Sequence, residues 1–208
     1  MRTVATPVGP ARVHFQSAKD PVLRLVLGHG AGGGVGSRDL EALARALPPR
    51  GVDVLRVEQP WRVAGRRVAA PPPILDVAWL AVLAELALTG PVVVGGRSAG
   101  ARVACRTATR VGAVGCLALA FPLLPPGRPE KSRLPELADA GVPTLVVQGE
   151  RDAFGGPESF PGSYDVRAVP GADHSFRVVR GGDQDFALEL LVRTVGDWLL
   201  DVPRGARD

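Results

Sequence analysis

Ser98 stands in the string GRSAG (96–100), with Gly96 two residues before it and Gly100 two after, at the end of the apolar run PVVVGG (91–96). A serine hydroxyl is a weak nucleophile until a base takes its proton and a third group fixes the tautomer of that base. Glycines at these two spacings suit a turn so sharp that strand and following helix nearly touch, lifting the hydroxyl clear of the chain. The bare string is a weak signal. A chain with 26 glycines would carry a G-x-S-x-G by chance about one time in ten. Its position between a strand and a helix is what gives it weight. The base must come from three histidines. His14 alternates within an early strand, where packing or surface exposure is the default. His29, in LGHGAGGG, is read as shaping its own glycine loop by hydrogen bonding. His174, in PGADHSF, follows the last strand, where a base could reach the serine. The acid should leave the preceding strand, and VVQGERD supplies Asp152 there, preferred over its neighbours Glu150 and Asp173; Asp173, beside the histidine, is expected to hold its own loop. These three residue types describe acyl transfer: Ser98 attacks a carbonyl, His174 moves the proton and Asp152 stabilises the imidazolium.

Such a reaction needs donors for the oxyanion. The glycine-rich LGHGAGGG (27–34) follows a strand and precedes a helix, the place for one backbone N–H. Ala31 is the expected donor, with Gly32 its near rival, and Ala99 after the serine supplies the other. The same loop lacks the terminal G-K-[ST] of a phosphate loop and the G-x-G-x-x-G spacing, so no nucleotide is expected. Two separated cysteines and three dispersed histidines lack metal-ligand spacing. No cofactor and no metal are expected.

The elements that must position these residues alternate in type. Strands are read at 11–16, 22–28, 53–58, 91–96, 113–120, 143–149 and 164–169. The segment 37–47 reads as a helix with Ser37 as N-cap and acids in its first turn. After a Gly/Arg/Pro-rich loop, a longer helix runs from about Pro73 with Leu75, Trp79, Val82, Leu83 and Leu86 on one stripe, and Gly90 ends it. ARVACRTAT continues the helix after Ser98, and LPELADA reads as a short helix. A last helix spans about Asp185 to Leu200, with Ala187, Leu190, Leu191, Val195 and Trp198 inward. This alternation predicts an α/β fold: a mainly parallel, doubly wound sheet with helices on both faces. In such sheets function gathers at the carboxyl ends of the strands, where Ser98 falls.

Composition bounds the rest. At 208 residues and 46% hydrophobic, the chain suits one well-filled core, residues 1–208 as a single domain. The stretch ILDVAWLAVLAELAL is broken by Asp76 and Glu85, against a membrane span. The first residues hold no unbroken apolar run, so no export signal is expected and the protein is placed in the cytoplasm. Cys105 and Cys116 then read as buried reduced thiols that could pair only if the fold aligned them. The net charge of +4 is carried mostly by arginines scattered among 21 acids, and the longest basic run is Arg66-Arg67. Nucleic-acid surfaces cluster their cations, often with stacking aromatics, so nucleic acid is not an expected partner.

LGHGAGG, GRR, GGRSAGAR, PPGRPE, VVQGERDAFG and GADHSF together resemble a small α/β-hydrolase-like family, over nearly the whole chain. That family includes testis-expressed protein 30 and one subunit of the NSL histone-acetyltransferase complex. The resemblance implies an α/β-hydrolase fold of dienelactone-hydrolase-like size, with Ser98, Asp152 and His174 in the triad positions, the chain order expected of that fold. Two departures bear on the pocket. SAGAR stands where relatives tend to have SMGGR, and FPLLPPG stands where YPLHPPG is usual. Trp61, Arg62, Arg97, Phe121 and Phe154 fall on the loops around the serine and are the expected substrate pocket. Arg62, Arg66, Arg67, Arg128 and Arg133 are placed near its mouth, either paired with Glu58, Glu130 and Glu136 or left to draw in an anionic substrate. Only residues 121–142 separate two of the strands, leaving no room for a lid domain. The expected activity is that of a serine hydrolase of small carboxylic esters or thioesters; the alternative is a catalytically silent fold used for binding or assembly.

Overall fold

A computed structural model of the chain describes residues 1–178 and 182–202. Its strands are β1 (Arg2–Val4), β2 (Ala11–Gln16), β3 (Leu23–Gly28), β4 (Val52–Glu58), β5 (Val92–Arg97), β6 (Gly115–Leu119), β7 (Thr144–Gly149) and β8 (Asp165–Val169). They form one sheet in the order β1-β2-β4-β3-β5-β6-β7-β8, parallel from β4 to β8, with β1 and β2 antiparallel at one edge. The helices are α1 (Arg38–Ala46), α2 (Pro60–Val63), α3 (Pro72–Leu86), α4 (Ala99–Thr107), α5 (Leu134–Ala138) and α6 (Gln184–Asp201).

The central strands are apolar on both faces because each face is covered. Successive side chains of a strand point to opposite sides. Leu25, Leu27, Val93, Leu117, Leu119, Leu145 and Val147 therefore enter one core with Leu40 and Leu43 of α1 and Leu191 and Val195 of α6. Their neighbours Val26, Val94, Cys116, Ala118 and Val146 enter the other, with Trp79 and Val82 of α3 and Val103 and Ala104 of α4. Each fully buried Leu or Val side chain contributes roughly 1.5–3 kcal/mol, and the two cores together hold the sheet between helices.

The chain leaves β3 through α1 to β4, then returns through α3 to β5 on the other side of β3. The order therefore reverses between β3 and β5, and the loops leaving these neighbours diverge to opposite faces. That opens a crevice at their carboxyl ends, the place where open α/β sheets hold their ligands.

Several elements differ from the sequence expectation. β1 is too short to carry an alternating pattern. α2 lies inside the stretch read as loop, started by Pro60 at its first position, where a missing N–H costs nothing. α3 stops at Leu86 because Ala87 itself turns left-handed (φ +45°), and Gly90 lies in the turn beyond. Ser37 flanks α1 but makes no side-chain capping bond. Trp198 is half-buried, and Leu199 takes the inward position on α6. The thiols of Cys105 and Cys116 are free and buried with sulfurs 3.7 Å apart. Among the described residues no helix is long and apolar enough to cross a membrane, and no group of three or more metal-ligating side chains gathers.

Candidate active site

Gly96, at the end of β5, and Gly100, in the first turn of α4, meet Gly28 of β3 backbone to backbone. A Cβ on Gly96 would lie 2.5 Å from the Gly28 oxygen and 2.8 Å from the Gly100 carbonyl carbon, and one on Gly100 would overlap the Gly28 carbonyl. Only hydrogen fits there. Between them Ser98 adopts φ +52° and ψ −110°, a conformation unfavourable for a residue with a side chain and seen where surrounding structure enforces it. Its N–H is held by the Leu119 carbonyl at 2.9 Å. The turn projects the hydroxyl over the carboxyl edge of the sheet, at the start of α4.

His174 reaches that hydroxyl from the loop after β8. Its Nε2 is 3.0 Å from Ser98 Oγ and its Nδ1 is 2.8 Å from Asp152 Oδ2. A carboxylate oxygen accepts, so Nδ1 carries the proton and Nε2 offers its lone pair to the serine. Asp152 follows β7, and its side chain is fully enclosed. Its Oδ1 accepts the Phe154 N–H at 2.8 Å and its Oδ2 accepts the Gln148 amide at 2.9 Å. Gln148, buried in β7, gave no catalytic signal in the sequence beyond being the polar residue in TLVVQG; its Nε2 also reaches the carbonyls of Phe121 and Gly155. A Cβ on Gly149 would meet the carbonyls of Ala172 and Asp173 at 2.6 and 2.7 Å, so the acid-bearing and histidine-bearing loops also touch through glycine. Asp173 turns away: it accepts the N–H groups of Ser175 and Arg177 and shapes its own loop. Glu150 accepts the Gly171 N–H.

On the other flank, His29 is buried. The Gln59 N–H donates to its Nε2 at 3.1 Å, so Nδ1 carries the proton and donates to the Gly30 carbonyl at 2.9 Å. Burial holds its pKa below the ordinary histidine value, the Gly30 bond acting in the opposite direction. This neutral ring fixes the start of the glycine loop. Ala31 and Gly32 follow it, and a Cβ on Gly30 would lie 3.4 Å from the Ser98 Cβ, so the loop passes directly over the serine.

The expected pocket residues divide. Phe154 stands against the face of His174, ring centroids 4.5 Å apart. Trp61, only 5% exposed, packs on His29 and with Gln59, Leu75, Trp79 and Ala99 lines a cavity of about 10 Å³ behind Ala99. It is an inner wall rather than a rim. Arg62 is exposed beside the glycine loop, its Nε 3.7 Å from where a Gly34 Cβ would be. Phe121 is fully buried in the core of the α3/α4 face, so its ring is occupied by packing and not by an open pocket. Arg97 is also buried. Its guanidinium is bonded to the His174 carbonyl and Ser175, which removes it from the pocket lining. Of the mouth arginines, Arg133 is tied to the Pro122 carbonyl at 2.7 Å. Glu58 sits near Arg12 and Glu136 binds Arg102 and Arg106. Arg62, Arg66, Arg67 and Arg128 therefore have no ion pair or side-chain hydrogen bond among the described residues.

A family model described as an alpha/beta hydrolase domain matches residues 21–198. No curated protein matches the chain in sequence. Among solved structures, the chain is similar to an alpha-beta serine hydrolase homologue from Coxiella burnetii, with 20% identity and a TM-score of 0.71 over 93% of this chain and 96% of that one. A serine hydrolase without lid from Xanthomonas campestris gives 20% identity and 0.71, over 99% and 95%. Dienelactone hydrolase from Anabaena variabilis gives 17% identity and 0.74, over 98% and 97%. At identities this low, these likenesses speak to the fold.

Proposed function

Because the chain belongs to the alpha/beta hydrolase domain family, we propose that it is a serine hydrolase of small carboxylic esters or thioesters. The observation that carries this reading is the unbroken line Asp152–His174–Ser98, at 2.8 and 3.0 Å, ending on a serine held at φ +52°. His174 Nε2 takes the hydroxyl proton as Ser98 Oγ bonds to the substrate carbonyl carbon, and Asp152 stabilises the imidazolium. The carbonyl oxygen gains the negative charge and is met by the Ala99 N–H, at the positive end of α4, and by that of Ala31 or its rival Gly32. Collapse breaks the bond to the alcohol or thiol, which leaves with the proton from His174, and the acyl group stays on Ser98. Water then enters, loses a proton to His174 and releases the acid by the same steps. Every proton and charge in this sequence is handled by a named residue, so the reaction as written uses no metal or cofactor.

Within the family, the motifs favour the branch with testis-expressed protein 30 and the NSL-complex subunit. A catalytically silent binding module would have no use for a strained serine bonded to an oriented imidazole. Arg62, beside the glycine loop, and Arg66 and Arg67, just after α2, have no ion pair among the described residues and support an anionic ester as substrate. We place the activity in the cytoplasm, on a free small molecule rather than nucleic acid or membrane.

Purified protein should hydrolyse p-nitrophenyl acetate or butyrate. Ser98→Ala should leave a residual rate at most about 10³-fold above water. Unchanged turnover in folded Ser98→Ala overturns the proposal.

A further inference from the structure

We infer that Arg97 is a positioning residue for the base, acting on His174 through its backbone from beneath the site. The inference rests on the serine-hydrolase reading and adds to it a residue that touches no substrate.

Arg97 is one of the two variable positions of the G-x-S-x-G string, yet the residue is only 8% exposed. One nitrogen, Nη2, donates to the His174 carbonyl at 2.9 Å and to Ser175 Oγ at 3.0 Å. Nε lies 3.5 Å from Oδ2 of Asp39, in the first turn of α1. Nη1 lies under the glycine loop, 3.2 Å from where a Cβ of Gly30 would be and 3.8 Å from that of Gly33. One planar group therefore touches the loop that carries the base, the loop that carries the expected oxyanion donor, and the helix between. It does so from the residue preceding the nucleophile.

The chemistry of the group explains why it must stay there. A buried guanidinium without a counter-charge is costly, and Asp39, only 2% exposed, is the acid beside it. Asp39 in turn has no other cation within ion-pair distance among the described residues, so neither partner can move without stranding the other. The acid sits near the amino end of α1, whose dipole favours its charge, and α1 is packed on the sheet. The brace is thus anchored to a rigid element.

Asp152 holds the His174 ring at Nδ1 and Phe154 stands against it, but both act on the ring and not on the backbone that carries it. Asp173 folds the histidine loop on itself through the N–H groups of Ser175 and Arg177 but does not tie it to β5. Arg97 supplies that tie. A fork geometry is required to reach His174, Ser175 and Asp39 together, which a lysine ammonium cannot do.

The test compares wild type with Arg97→Met, Arg97→Lys, Asp39→Asn and Ser175→Ala, scored on folded protein. The readouts are kcat and KM for p-nitrophenyl acetate and the far-downfield proton resonance of His174 Nδ1–H. In Arg97→Met, kcat should fall about 10- to 100-fold with KM within about two-fold, and the resonance should shift or broaden. Arg97→Lys should not restore kcat. Asp39→Asn and Ser175→Ala, each removing one arm, should lower kcat less and in the same direction, and they carry the test if Arg97→Met does not fold. Full kcat with an unmoved resonance across the folded variants overturns the inference, leaving Arg97 a stability brace. A rise in KM alone also overturns it, returning Arg97 to the substrate pocket. Inactive wild type, or active Ser98→Ala, strikes instead at the hydrolase reading, and the NMR resonance alone then decides whether Arg97 positions His174.

Discussion

Two carboxylates adjoin His174, one in space and one in sequence, and their hydrogen bonds separate their roles. Asp152 meets the imidazole Nδ1, whereas Asp173 spends its Oδ1 on two backbone N–H groups of its own loop. Asp152→Asn should therefore lower kcat by about 10⁴, because an amide selects the wrong tautomer. Asp173→Asn should cost far less, and steady-state rates of the folded variants rank the two; the opposite order would reassign the acid. Asp39 is a different case. Burial raises its carboxyl above the usual carboxylate range, with the Arg97 guanidinium and the Ser37 side chain acting the other way. The folded state then binds the Asp39 proton more tightly than the unfolded chain, so its contribution to stability is present at low pH and is lost as pH rises through the raised range. The stability of Asp39→Asn relative to wild type should improve as pH climbs from about 4 upward. Urea unfolding at stepped pH measures this, and a pH-independent difference would contradict it.

At the scale of elements, the site depends on β3, β5 and α4 touching through Gly28, Gly96 and Gly100. Gly96→Ala should force strand and helix apart at a cost of about 1–3 kcal/mol or more, seen as a lower denaturation midpoint together with lower kcat. Wild-type stability in Gly96→Ala would mean the contact is looser than 2.5 Å implies. The pinch between strand and helix at Gly96 and Gly100 was legible in the sequence, because tight backbone contact can be written only with glycine and the β-branched run before it marks a strand; that β3 joins the contact through Gly28 was not. The order of Ser98, Asp152 and His174 along successive strand exits was legible for the same reason. The buried polar residues were not. Asp39, Gln148 and Arg97 look like ordinary surface or pocket side chains until the fold closes over them, since nothing local in RDLEAL, VVQG or GGRSAG says which side of the chain is enclosed. α2 was hidden too: four residues are too few for a helical period, and Pro60 was its only signal.

At the scale of the whole molecule, the loops at the carboxyl ends of the strands decide access to Ser98. The chain between β6 and β7 holds only the five-residue α5 among its helices, so this connection contributes no lid domain. Short acyl chains should be turned over without any rise in specific rate on long-chain emulsions. Arg62, Arg66 and Arg67, in and just after α2, have no ion pair among the described residues, while Glu58 and Glu136, two of the three acids expected to brace them, are engaged elsewhere. A succinyl-type monoester should have a higher kcat/KM than its neutral analogue at low ionic strength, and the advantage should shrink at about 0.5 M salt, where screening acts within about 4 Å. Equal rates at low salt would leave these arginines as solvated surface. The central claim, that Ser98 is a nucleophile made reactive by His174 and Asp152, is tested most directly by incubating the protein with a fluorophosphonate and mapping the adduct by intact and peptide mass. One stoichiometric adduct on Ser98 is expected, abolished in Ser98→Ala and strongly slowed in folded His174→Ala; a folded wild-type protein that stays unlabelled, or is labelled elsewhere, would rule out Ser98 as the nucleophile.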